Sequence, residues 1–180
     1  TPGTQKNDQF NGATSEEKWE NFYNYIDAYI GDGSDPQKAI CVVGITDYLS
    51  IDNYKKVITD ERLPKSVKLV LPNVELRMTP TGKDSPINIH CIFSPDIVDQ
   101  LEDRFFGELK FTYHGIEYSA KKSQLEELGR NFQNNQDLDE RKAFQTGIGQ
   151  FVITLDMLKN VFKKNQPLKE NTIIVVSNRD

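Results

Sequence analysis

The chain is poor in the residues that most often announce a chemistry. Its 180 residues include two cysteines, two histidines and one tryptophan. Cys41 and Cys91 both lie within apolar runs, which reads as free buried thiols in a reducing cytoplasm rather than a disulfide or a zinc knuckle. No His-Glu-x-x-His spacing occurs, so that zinc-hydrolase motif is excluded. No apolar run is long enough to span a bilayer and no signal-peptide pattern opens the chain, so no membrane partner and a cytoplasmic location are expected. Positive charge is in deficit. The net charge of -5 argues against a general electrostatic grip on nucleic acid, though it leaves room for a local basic groove or a metal-assisted phosphate site. No internal repeat stands out.

What is present suits one domain, over residues 1–180, with a real core: 37% hydrophobic and 27% charged residues, somewhat polar for a globular chain. Residues 1–13 read as a loop. Thr14 and Glu17 have the spacing of a capping box, and a helix follows to about Ile30. Trp19, Phe22, Tyr23, Ile26, Tyr29 and Ile30 give it one wide apolar face, read as core. Loop residues 31–36 end it. A strand is expected over residues 39–45, because Ile40-Cys41-Val42-Val43 reads as buried on both faces. A short helix over 52–61 follows, then a strand over 67–71. Pro72-Asn73 is read as an interruption before a further stretch over 74–78. After a turn-rich loop over 79–86, residues 87–93 read as another strand. Ser94-Pro95-Asp96 opens a helix with Ile97, Val98, Leu101 and Phe105 inward. Residues 109–118 alternate around His114-Gly115 as a hairpin with a two-residue turn. Polar helices are expected over 121–133 and 139–145, a strand over 150–154, a helix over 155–164 and a last strand over 172–177. Alternating strands and helices predict an α/β fold with a largely parallel sheet, the hairpin and polar helices (about 107–147) forming an insertion.

Three strand-like runs each bring one potential metal ligand: Asp47 after the first, Glu75 in the second and His90 in the third. A carboxylate at the end of a buried strand is costly unless paired or bound to a metal. If the strands are parallel neighbours, their ends meet on one face, and carboxylates with imidazole suit manganese, iron or zinc. Each residue also has a plainer role. Asp47 could cap the next helix or turn, Glu75 could pair with Arg77 or a lysine at an edge, and His90 could be a satisfied core histidine.

Gly44-Ile45-Thr46-Asp47-Tyr48, Leu71-Pro72-Asn73-Val74-Glu75-Leu76-Arg77 and Ile87-Asn88-Ile89-His90-Cys91-Ile92-Phe93, in this order and at these intervals, resemble the first half of a PHP (polymerase and histidinol phosphatase) domain. The variant they resemble most stands at the N-terminus of TrlF-like proteins, which carry an AAA-like ATPase further on. The resemblance covers roughly residues 35–95. It implies a distorted β/α barrel, complete or partial, with a multinuclear metal site at the strand C-termini and phosphoester hydrolysis, including nuclease action. Asp47 then matches the family's Thr-Asp-His motif, with Tyr48 replacing the histidine. Glu75 matches the carboxylate that bridges two metals, and His90 the histidine of the next strand.

The family's opening His-x-His and late Asp-x-His motifs are absent. The resemblance therefore implies an incomplete PHP-like domain of a larger, ATPase-linked DNA repair or defence protein. In that protein a divalent metal (manganese, zinc or iron) would be held in part by Asp47, Glu75 and His90, which are also the expected catalytic residues. Arg77 would hold a phosphate oxygen of a nucleic acid or other phosphoester substrate, and the C-terminal ATPase region would be a partner. The 180-residue chain itself would hold little or no metal. The other reading is a non-catalytic PHP-like module that binds a partner or regulates the ATPase.

Overall fold

The chain is seen in a computed structural model that describes residues 10–31, 34–35, 40–79 and 86–176. The expectations for residues 1–9, 32–33, 36–39, 80–85 and 177 lie outside the described residues. The first helix, α1 (Ser15–Ile30), starts on the expected capping box: the Thr14 hydroxyl accepts the Glu17 N–H, and the Glu17 carboxylate accepts the Thr14 N–H. Trp19, Phe22, Tyr23 and Ile30 are buried, while Tyr29 points outward and stacks on Tyr25. Strand β1 (Val42–Tyr48) leads into α2 (Asp52–Asp60). The Tyr23 hydroxyl donates to Asp60 at 2.7 Å, and the Arg62 guanidinium lies over the Tyr23 ring, so α1 is held beside α2.

Strand β2 (Leu69–Thr79) runs unbroken through Pro72. The expected interruption is absent because Pro72 precedes the β3 ladder, which begins at Asn73, and its missing N–H removes no bond from it. Strand β3 (Ile87–Phe93) is followed by a 3-10 turn (Pro95–Ile97), α3 (Val98–Leu101) and a π-helical turn (Glu102–Phe106) that buries the consecutive Phe105 and Phe106. The hairpin pairs β4 (Lys110–Tyr113) with β5 (Ile116–Ser119). His114 and Gly115 have φ of 48° and 81°, the two left-handed residues that such a turn needs, so His114 is a turn residue.

Helices α4 (Lys122–Gln133) and α5 (Glu140–Gln150) pack as a pair. Gly129 approaches the backbone of Ala143, and Gly147 that of Leu125, too closely for any side chain. Because α5 runs on to Gln150, the expected strand over 150–154 shrinks to β6 (Ile153–Thr154). Thr154 then caps α6 (Leu155–Lys164), and the short α7 (Gln166–Glu170) leads into β7 (Thr172–Val176).

The main sheet has the order β1-β2-β3-β7, with β6 alongside the end of β2. The α/β class holds, but the sheet is mixed rather than largely parallel. The β1–β2 and β2–β6 pairs are parallel; β2–β3 and β3–β7 are antiparallel. The physical reason is loop length: residues 80–86 are too few for the crossover of a dozen or more residues that a parallel partner needs. Among the described residues the sheet does not close into a barrel. Its inner face carries Ile45, Val74, Leu76, Met78, Ile89, Cys91 and Phe93, all in one buried cluster with the helices. The reading of Ile40–Val43 as buried on both faces fails, since Cys41 and Val42 are exposed; Val42 opens the edge strand β1 and Cys41 precedes it. Cys91 is the buried thiol, and burial pushes its pKa up to about 12.

Candidate functional site

Strand register decides which of the candidate residues meet. Asp47 pairs with Val74 and Val74 with Cys91; Tyr48 pairs with Glu75 and Glu75 with His90. Side chains in one cross-strand row share a face, and the next row points to the other. Glu75 and His90 are therefore neighbours on the outer, half-buried face. Asp47 is on the inner face, 1% exposed. The three do not meet at one end of a parallel sheet, as the sequence pattern led us to expect.

Asp47 does the plainer job foreseen for it. Its carboxylate accepts the Asn53 backbone N–H at 2.8 Å and also the Asn53 side-chain amide, which serves the first turn of α2 where the N-cap residue, Ile51, offers no side-chain bond. Burial pushes its pKa up to about 7, against the pull of the two Asn53 bonds.

The outer face is a polar network. Asn73 donates from Nδ2 to the Thr46 hydroxyl at 2.7 Å, and its Oδ1 lies 3.2 Å from Nδ1 of His90. Asn88 donates from Nδ2 to Glu75 Oε1 at 2.7 Å. Arg77 donates from Nη2 to the carbonyls of Ile148 (2.9 Å) and Gly149, which ties the end of α5 to the sheet. Its guanidinium lies 5.3 Å from the ring centroid of Tyr48. Burial pushes the Tyr48 phenol up to about 12, against the pull of the nearby Arg77 charge. Among the described residues, neither the Tyr48 hydroxyl nor Arg77 Nε has a hydrogen-bond partner, and both are buried. Buried polar atoms of a native fold are seldom left so, which marks this corner of the face.

Sequence reasoning missed Thr46, Asn73 and Asn88. The signal for them was alternation: Thr46 and Tyr48 flank Asp47, Asn73 and Glu75 flank Val74, and Asn88 and His90 flank Ile89, so the flanking residues of all three strands fall on one face and Asp47 on the other.

A catalytic metal of the zinc type keeps about three protein ligands. Among the described residues no group of three histidine, cysteine, aspartate or glutamate side chains could hold a metal ion. Glu75 and His90 are two ligand-type groups side by side, and the third position in their row is a tyrosine. The described residues thus do not fit a metal by themselves. No helix among them is long and apolar enough to cross a membrane. No protein-family model, curated protein or solved structure matches the chain.

Proposed function

We propose that this chain is part of a PHP-like phosphoesterase domain within a larger protein, one that directs hydrolysis at nucleic acid and is linked to an ATPase. The observation that carries the reading is the row Tyr48–Glu75–His90. Glu75 and His90 are two of the three positions at which the family resemblance expects metal ligands, Asp47 being the third, and Tyr48 beside them stands where the motif has histidine. Their shared face is what such a site requires. Asp47 takes no part, because its carboxylate serves α2 from the other face. Any divalent metal in the longer protein would need at least one ligand from outside the described residues, so Glu75 and His90 are a contribution to a site rather than a site. The chain's own residues orient one another there: Asn88 fixes the Glu75 carboxylate and Asn73 fixes the His90 ring.

A second reading, a non-catalytic module of the same ancestry, has its own support. Glu75 Oε1 and His90 Nδ1 are already engaged by asparagines, and a phenol is a poor substitute for a neutral imidazole. The test is to express the longer native protein, measure metal content by elemental analysis, and assay a generic phosphodiester with added manganese. On the phosphoesterase reading metal content and hydrolysis both rise above those of the 180-residue chain, and Glu75→Gln and His90→Asn each remove the gain. A longer protein that stays metal-free and inactive would leave the module.

A further inference from the structure

The last strand of the sheet is bare. β7 pairs with β3 in an unbroken ladder and, among the described residues, pairs with nothing on its other edge. Ile173, Ile174, Val175 and Val176 are 64%, 49%, 42% and 58% exposed. Natural edge strands are guarded by a charge, a proline or a bulge, and Thr172–Val176 has none of these. Such an edge is a template for another strand.

Beside this edge lies a groove of about 400 Å³ lined by Leu158, Phe162 and Ile174 together with Lys159, Lys163 and Lys169. Ile174 stands in the same row as Cys91 and Val74, so the groove continues the inner, helix-covered side of the sheet past its last strand. A strand laid along β7 would send every second side chain into it. The three lysines are exposed, and among the described residues their one ion pair is the surface contact of Lys159 with Asp156 at 4.0 Å. This is a positive rim on a chain whose net charge is -5.

We infer that β7 is the acceptor edge for an extended, acidic segment of a partner polypeptide. Its main chain would pair with β7, its apolar side chains would seat on Leu158, Phe162 and Ile174, and its carboxylates would meet Lys159, Lys163 and Lys169. Backbone pairing gives such a complex its affinity and the alternate side chains its selectivity. A second copy of this chain suits the edge less well. Two-fold pairing of β7 with itself would bring the same lysine-bearing face of α6 from both sides, like charge against like. The inference does not depend on the phosphoesterase reading, since Ile174 and the groove beside it belong to the inner side of the sheet, although Ile173 and Val175 share the outer face with His90.

The test uses the 180-residue chain and a fluorescein-labelled, N-acetylated peptide of repeating Val-Thr-Glu-Thr, which brings valine and glutamate by turns to one face of a strand, titrated by fluorescence anisotropy beside a twin of repeating Val-Thr-Lys-Thr. The glutamate peptide should bind at least about tenfold more tightly than the lysine twin and should loosen as salt screens the rim. The double variant Lys159→Glu/Lys163→Glu should lose that preference, and Ile173→Lys, which guards the edge itself, should remove binding. Circular dichroism spectra matching the parent chain would show that both variants keep the fold. No binding, equal affinity for the two peptides, or a preference untouched by the charge reversal would overturn the inference. So would concentration-dependent dimerisation that Ile173→Lys abolishes, because it would assign the edge to a second copy.

Discussion

The Asp47 carboxylate accepts the Asn53 N–H at 2.8 Å from a strand position that is 1% exposed, so one acidic group joins the inner face of the sheet to the start of α2. Its pKa, raised to about 7 from an ordinary 3.8, makes this joint dependent on pH. Between those two values the folded chain holds a proton that the unfolded chain has released. The contribution is therefore fully present below about pH 4 and is lost as pH rises through about 7, to a total of up to about 4 kcal/mol. Asp47→Asn, which cannot ionise, should be less sensitive than the parent chain over this window. Urea melts of both proteins at about pH 5 and about pH 8 measure it; identical differences in stability at the two pH values would disprove it.

Arg77 is expected to act first as a clasp. Its Nη2 bonds to Ile148 and Gly149 hold the end of α5 against β2. Replacing it with methionine keeps much of the apolar stem and removes the donors, at a cost of about 1.5–3 kcal/mol for hydrogen bonds from a charged group. A denaturant midpoint that does not move would free Arg77 for a ligand instead.

The α4–α5 contact offers a sharper contrast. A methyl group at Gly129 or Gly147 would press into a backbone carbonyl of the facing helix, whereas one at Gly149 meets nothing. Gly129→Ala and Gly147→Ala should each destabilise by about 1–3 kcal/mol or more, from overpacking. Gly149→Ala, also within α5, should be neutral or stabilise by up to about 1 kcal/mol through helix propensity. Thermal melts of the three variants would rank them.

Phe22 is 4% exposed and makes edge-on contacts with Phe10, Trp19 and Tyr23. Phe22→Ala should cost about 3–5 kcal/mol in a urea melt. A change within experimental error would mean that α1 is peripheral to the cooperative core.

Local chemistry was the most legible part of the sequence. The Thr14–Glu17 capping box, the His114-Gly115 turn and the span of α6 each rest on a few adjacent residues, and all three stand in the fold as expected. What went astray depended on partners distant in sequence. The direction of β3 was readable from the shortness of the 80–86 connection, which strand-and-helix alternation leaves out of account. The face of Asp47 was readable as well: it is two residues from the buried Ile45, while Glu75 lies between the inward Val74 and Leu76. Counting by twos along each strand is enough to put the two carboxylates on opposite faces. The close approach of α4 and α5 was not legible, because a glycine in a helix looks like weakness until its neighbour across the interface is known.

Residues 110–150 hold a hairpin and a helix pair whose partners are near in sequence, whereas the β3–β7 ladder joins Cys91 to Ile174. Closing a short loop costs little chain entropy and closing a long one costs more. The bare strand is thus also the one that the chain must travel furthest to place. A ribosome delivers its residues only after every other strand of the sheet has emerged, so until then β3 carries the open flank that β7 later inherits.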